Sequence, residues 1–264
     1  MKLPYFEVAA FTQRAFGGNP AGVCLLEEPL SESLMGAIAS ENNLAETAFV
    51  VPRDGGYEIR WFTPSKREID LCGHATLASG HVLVRHRGIQ GQTMEFHSPR
   101  SGALAVARED DRIVLDFPVR PVTRCEISDE FVAALGATPQ QLFAGRDYFA
   151  VFGSAAEIRA LQPHTERLAQ LPNEGLIVTA PGDDCDFVSR FFVPKHGIAE
   201  DHVTGSTHCN LIPFWAERLG EQRMFARQLS ARGGELYCEL KGDRVAIGGH
   251  ALTYLTGEID VPEA

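Results

Sequence analysis

Two short stretches set a glycine between polar residues just ahead of an apolar segment: Cys72-Gly73-His74 and Thr204-Gly205-Ser206. If each apolar segment is a helix, its first turn offers backbone N–H groups with no intrahelical partner and the positive end of the helix dipole. That is a receptive place for a carboxylate or an enolate. Side-chain carboxylates stand nearby in the chain. Glu46 lies just before an apolar, strand-like run, and Asp70 and Asp201 precede the two glycine turns. Moving a proton on carbon requires a base and an acid placed about that carbon with matched pKa values, and burial can raise a Glu toward neutrality. Glu46, Asp201 and His74 form a set of that kind. Gly17-Gly18-Asn19-Pro20 has the outline of a phosphate loop but lacks the Lys and Ser/Thr a nucleotide site needs, so that reading is rejected.

The elements that must position these groups are written twice. Arg60-Trp61-Phe62-Thr63-Pro64 recurs as Arg190-Phe191-Phe192-Val193-Pro194; upstream, Ala48-Phe49-Val50-Val51-Pro52 is matched by Ile177-Val178-Thr179-Ala180-Pro181. Downstream, Cys72-Gly73-His74-Ala75-Thr76 is matched by Thr204-Gly205-Ser206-Thr207-His208. Three pairs in the same order at nearly the same separation point to duplication. Each copy reads strand, turn, strand, a Pro-bearing loop, then a helix. The helices, about 73–86 and about 205–219, are apolar nearly all round, as buried helices are. Short alternating segments at 92–97, 102–108 and 112–117, and again at 224–231, 235–240 and 244–247, read as strands. Peripheral helices are predicted at 31–41, 128–135, 139–143 and 155–171, with a linker near Pro118–Thr123. The fold class is therefore α+β: two similar domains, 1–118 and 119–264, each a roll-like or barrel-like sheet around a central helix, with packing of the last strand on the N-terminal domain as an alternative. Arg60 and Arg190, at matching strand positions, suggest a shared structural pairing. Trp61, Phe62, Phe191 and Phe192 are expected in the core and His208 packed within its helix.

Composition bounds the function. The 264 residues are 44% hydrophobic and 22% charged, which suits a globular chain with a substantial core. Net charge is −11 with no basic cluster, which disfavours nucleic acid and anionic membrane as partners. No run approaches the roughly 18 apolar residues of a membrane span, and the start lacks a signal-peptide pattern. The six cysteines are scattered without a CxxC pair, which argues against a structural zinc site and for a reducing, cytoplasmic setting.

With those residues in view, the chain resembles the PhzF-like (phenazine biosynthesis) isomerases of the diaminopimelate epimerase superfold. The matching stretches are Ala10-Phe11-Thr12 through Phe16-Gly17-Gly18-Asn19-Pro20-Ala21, Asn43-Leu44-Ala45-Glu46-Thr47, Leu71-Cys72-Gly73-His74-Ala75-Thr76 and Glu200-Asp201-His202-Val203-Thr204-Gly205-Ser206. The resemblance implies a cofactor-free and metal-free site between two roll domains, with Glu46 as general base and acid. It implies that His74, Asp201 and Ser206 orient substrate and stabilise charge, that Asn19, Gly73 and Gly205 contact substrate, and that the protein is a homodimer. The implied reaction resembles the isomerisation of dihydro-3-hydroxyanthranilate, a small carboxylate-bearing anion. His202 stands where the family has Pro. Against the epimerase and racemase relatives, Cys72 holds the first thiol position and Thr204 the second. An alcohol cannot serve as the opposing thiolate base, which disfavours symmetric two-cysteine racemisation. Two rivals remain: an amino-acid epimerase or racemase using Cys72, and a ligand-binding protein that kept the fold and lost catalysis.

Overall fold

The computed structural model describes residues 1–261 and divides them into two units: Met1–Phe117 with the segment from Ile247 onward, and Pro118–Ala246. The second unit thus ends at Ala246, and the chain's last strand returns to the first.

In chain order the first unit holds β1 (Lys2–Ala10), β2 (Asn19–Leu25), α1 (Glu32–Asn42), β3 (Glu46–Arg53), β4 (Gly56–Phe62) and β5 (Glu68–Ile69). It continues with α2 (Gly73–His86), β6 (Thr93–Ser98), β7 (Gly102–Glu109) and β8 (Arg112–Pro118). The second holds β9 (Thr123–Arg124), α3 (Asp129–Leu135), β10 (Gln141–Ala144), β11 (Tyr148–Val151), α4 (Ala155–Ala160) and α5 (Thr165–Gln170). There follow β12 (Leu176–Pro181), β13 (Phe187–Phe192), β14 (Glu200–Asp201), α6 (His208–Leu219), β15 (Arg223–Gln228) and β16 (Gly234–Lys241), and β17 (Arg244–Gly249) runs from the second unit into the first. β18 (Ala251–Asp260) closes the chain against β1.

The two units repeat one pairing scheme. In the first, β1 and β2 are antiparallel, β2 and β3 parallel, β3 and β4 antiparallel, and β4 and β6 parallel. In the second, β10–β11, β11–β12, β12–β13 and β13–β15 follow the same sequence of directions. Parallel neighbours need a crossover, and each unit fills its crossovers alike. α1 links β2 to β3 and α2 links β5 to β6, while α4 with α5 links β11 to β12 and α6 links β14 to β15. Register makes the match residue by residue: Trp61 faces Ala48 and Ile69, and Phe191 faces Ile177 and Asp201.

α2 lies in the core of its unit, with ten residues from Gly73 to Leu83 buried. It tolerates burial because its hydroxyls satisfy themselves on the preceding turn: Thr76 Oγ1 donates to the Cys72 carbonyl at 2.6 Å and Ser79 Oγ to Ala75 at 2.7 Å. Gly80 lets strands approach closely, since a Cβ there would meet Val106 and Ile113 methyls at 3.0 and 3.1 Å. α6 carries Pro213 in its interior. Proline has no N–H for the Cys209 carbonyl four residues back. The Arg120 N–H takes that carbonyl at 3.0 Å, and Asn210 Nδ2 donates to the Arg120 carbonyl at 2.8 Å, which fastens the start of the unit to its helix.

Two peripheral helix readings fail. Residues 141–144 form β10, not a helix: Leu142 is buried between half-buried neighbours, and the segment pairs with both β9 and β11. The single helix read over 155–171 is two, α4 and α5, because Pro163 bars helical backbone at Gln162. The second core helix begins at His208, three residues after Gly205, because Thr204–Thr207 form a tighter turn in which the His208 and Cys209 N–H groups bond Gly205 and Ser206. Among the described residues no helix is long and apolar enough to cross a membrane.

Candidate active site

Four of the residues singled out from the sequence converge in the first unit. Glu46 is the first residue of β3, which the chain enters from α1 through Asn43 in the left-handed conformation (φ 51°), a position Asn tolerates. His74 is the second residue of α2, and Asn19, fully buried, is the first of β2. Glu46 Oε2 lies 3.2 Å from His74 Nε2, and Asn19 Nδ2 lies 3.2 Å from His74 Nδ1. Cys72 Sγ stands 3.5 Å from the same Nδ1. An amide nitrogen has only N–H to offer, so Nδ1 accepts and the neutral ring carries its proton on Nε2, facing the carboxylate. Asn19 therefore sets the tautomer, and Nε2 stands within ion-pair range of the Glu46 carboxylate. Gly73 lies buried between Cys72 and His74 at the helix start. Gly18, with φ 64°, delivers Asn19: a Cβ there would come within 2.2 Å of the Ala10 carbonyl oxygen, so the Gly-Gly pair serves the backbone and not a phosphate.

The second unit gathers Asp201, Thr204, Gly205 and Ser206 about the turn into α6. The Thr204 hydroxyl donates to Asp201 Oδ2. Gln228, which sequence reasoning passed over, organises this turn: its Oε1 accepts the Thr204 N–H at 2.8 Å, and its Nε2 donates to the Asp201 carbonyl at 2.8 Å and to Thr204 Oγ1 at 3.2 Å. Its signal was an amide in the inward phase of an otherwise alternating strand, 1% exposed. Ser230 Oγ ties down the His202 carbonyl at 2.6 Å. Asp70 takes no part in either group. It is exposed and pairs with Arg100, and the residue in register with Asp201 is Ile69.

The duplication does not repeat the chemistry. In register, Glu46 corresponds to Gly175, where no side chain fits: a Cβ would meet the Phe191 ring at 2.7 Å and Asp147 Oδ1 at 3.1 Å. The Cys72, Gly73 and His74 positions become Thr204, Gly205 and Ser206. Carboxylate and imidazole thus belong to the first unit alone, while Asp201 in the second replaces an isoleucine.

His208 is packed, as its position suggested. It is fully buried, its Nδ1 donates to the Thr204 carbonyl at 2.9 Å, and burial lowers its pKa from 6.5 to about 4. With a folded pKa below the unfolded one, the unfolded chain binds the extra proton between the two values. Stability is therefore complete above pH 6.5 and lost as pH falls toward 4, by roughly 3 kcal/mol for this group. Unfolding free energies measured across that window should show the slope in the parent and a shallower one in His208→Gln. Parallel curves would refute the assignment. His81, lowered to about 4 by burial and neighbouring cations, adds a slope of the same sign to both proteins.

Residues 8–257 match the family of phenazine biosynthesis-like proteins. An isomerase of Pseudomonas aeruginosa, whose own name calls it uncharacterized, is 50% identical over 98% of this chain and 99% of its own. A crystal structure of a phenazine biosynthesis protein of the PhzF family from Enterococcus faecalis covers 99% of this chain and 100% of its own at 46% identity, with a TM-score of 0.96. A probable proline racemase from Agrobacterium radiobacter shares the fold at 11% identity and a TM-score of 0.68, over 98% of this chain and 93% of its own. The α+β, diaminopimelate epimerase-like architecture read from the sequence is thereby shown.

Proposed function

This chain belongs to the phenazine biosynthesis-like family, and on that premise we propose that it is an isomerase that moves a proton between two carbons of a small carboxylate-bearing substrate, in the manner of a dihydro-3-hydroxyanthranilate isomerase. One observation carries the reading: the Glu46 carboxylate, partly exposed, is held 3.2 Å from the Nε2 of a buried histidine whose other nitrogen faces an amide. Glu46 removes a proton alpha to, or vinylogous with, an electron-withdrawing group, and returns it at the second carbon. His74, with Nε2 beside the carboxylate, steadies its charge. The start of α2 at Gly73 offers N–H groups and a positive dipole end to the substrate's carboxylate and to charge growing on carbon, worth about 0.3–1 kcal/mol and more where water is excluded. Asp201 and Ser206, with Thr204 and Gly205, are proposed as the substrate-orienting residues of the second unit. A carboxylate and an imidazole suffice for this chemistry, and a small acidic metabolite suits it.

The test is a thermal-shift screen of small carboxylates, followed by NMR of each hit in deuterium oxide. Isomerisation places deuterium on a carbon that did not carry the abstracted proton. A ligand that binds without any carbon-bound exchange would refute catalysis and favour the binding-protein rival.

The contact between Cys72 Sγ and His74 Nδ1 gives the epimerase reading its one support. That mechanism needs a second base, and the position equivalent to Cys72 holds Thr204, whose hydroxyl is committed to Asp201. Deuterium entering with inversion at a single carbon, abolished in Cys72→Ala and retained in Glu46→Gln, would establish the epimerase and overturn the isomerase.

A further inference from the structure

A carboxylate, an imidazole and a thiol meet in the first unit: one donor atom from each of Glu46, Cys72 and His74 lies within 4.8 Å of the other two. We propose that these three residues form a binding site for a thiophilic divalent cation of the zinc class, and that occupancy silences the enzyme by engaging Glu46. The binding rests on donor geometry alone, and the silencing rests on the acid–base reading of Glu46.

The donor set fits such an ion. Zinc takes nitrogen at about 2.0–2.1 Å, thiolate at about 2.3 Å and carboxylate at about 2.0–2.2 Å in a tetrahedron, which separates neighbouring donors by about 3.3–3.8 Å. Oε2 and Nε2, 3.2 Å apart, already span one such edge. Sγ lies 3.5 Å from Nδ1 and Oε2 lies 3.2 Å from Nε2, so a single ion shared with the carboxylate uses Nε2, and the Cys72 side chain closes the remaining gap by turning toward it. A ring ligated at Nε2 carries its proton on Nδ1. The Asn19 amide, 3.2 Å away, then turns over to present its oxygen, the kind of outer partner that holds ligating histidines. One thiolate and one carboxylate balance a divalent charge, which matters where Cys72 and His74 are each 5% exposed. The thiolate selects zinc, cobalt or copper over magnesium and calcium. Three protein ligands leave a fourth position for water or an anion, as in open metal sites.

Metal-stripped protein titrated with Co²⁺ decides this. One equivalent should raise a sulfur-to-cobalt charge-transfer band in the near ultraviolet, bleached by Zn²⁺. The band should be absent in Cys72→Ser and Cys72→Ala and retained in Cys125→Ser and Cys185→Ser, which alter the half-buried thiols elsewhere. His74→Asn should weaken Co²⁺ binding at least about tenfold, the lower end of what even outer partners cost. Circular dichroism checks that each variant is folded. No band in the parent, or a band surviving both Cys72 replacements, overturns the site. If the band behaves as described but Zn²⁺ fails to slow deuterium exchange on a confirmed substrate, the silencing is overturned. Exchange missing from the metal-free protein counts against the acid–base reading, while the cobalt spectrum continues to judge the metal site separately.

Discussion

Glu46→Gln is expected to slow proton exchange on a confirmed substrate by about 10²–10⁴-fold, the range general acid–base catalysis supplies, while leaving the thermal midpoint near that of the parent. The replacement keeps shape and position. Gln retains a side-chain oxygen that can accept the His74 Nε2–H, so the 3.2 Å contact survives and the start of β3 is undisturbed. What disappears is the lone pair able to take a proton from carbon. Because the residue is only partly buried, losing its charge costs the fold little. Solvent deuterium wash-in is the better readout than product formation, since it follows the abstraction step itself. A decrease of less than tenfold, in protein whose midpoint is unchanged, would remove Glu46 from the role of base. A large decrease accompanied by a lower midpoint would call for Glu46→Asp, which keeps the charge and withdraws it by one methylene.

Much of this site was legible because duplication supplies an internal comparison. Matching Trp61 with Phe191 and Gly73 with Gly205 located the strands and the start of α2, and the strand register follows the same alignment. Sequence also marked Asn19, Glu46, Cys72 and His74, although nothing in their spacing shows that Nδ1 of one ring meets an amide while Nε2 meets a carboxylate. That depends on the crossovers that bring the first residues of β2 and β3 beside the first turn of α2. Gln228 escaped notice because an inward-phase amide marks a polar core position without naming the distant turn it serves. Asp70, named with Asp201 as an acid ahead of a helix start but left out of the proton-transfer set, is not its counterpart: pairing across β5 and β14 sets Asp201 level with Ile69, one residue earlier. The failed helix at 139–143 shows tertiary pairing overriding a five-residue propensity, and the late start of α6 shows a capping turn that apolar periodicity does not register.

Arg190→Ala is expected to lower stability by about 2–4 kcal/mol, below the full 3–5 kcal/mol range for breaking a buried ion pair because Glu200 keeps some access to water. Arg190 grips Glu200 in a two-pronged contact, Nε to Oε1 and Nη2 to Oε2, both at 2.8 Å, and its Nη1 caps the Ile158 and Leu161 carbonyls at 3.0 and 2.8 Å. Those carbonyls sit at the end of α4, so the side chain joins β13, β14 and a helix terminus. Its guanidinium also lies 4.7 Å from the Phe192 ring centroid. The first unit carries the same device: Arg60 binds Glu68 at 2.7 and 2.8 Å and lies 5.5 Å from Phe62. The pairing read from the duplicated strands is therefore structural. Its two copies differ in a way that can be measured, because Glu68 also binds Arg100 at 2.9 Å and keeps that cation when Arg60 is removed. Glu200 sits one residue before Asp201, so loosening Arg190 frees the short strand that presents the Asp201–Ser206 turn. Arg190→Ala should consequently lose activity below its unfolding transition, whereas Arg190→Lys, which preserves charge but not the two-pronged grip, should recover only part of the stability. Denaturant unfolding of Arg60→Ala and Arg190→Ala side by side checks the account: a loss under 1 kcal/mol for Arg190→Ala would show that the pair holds nothing together.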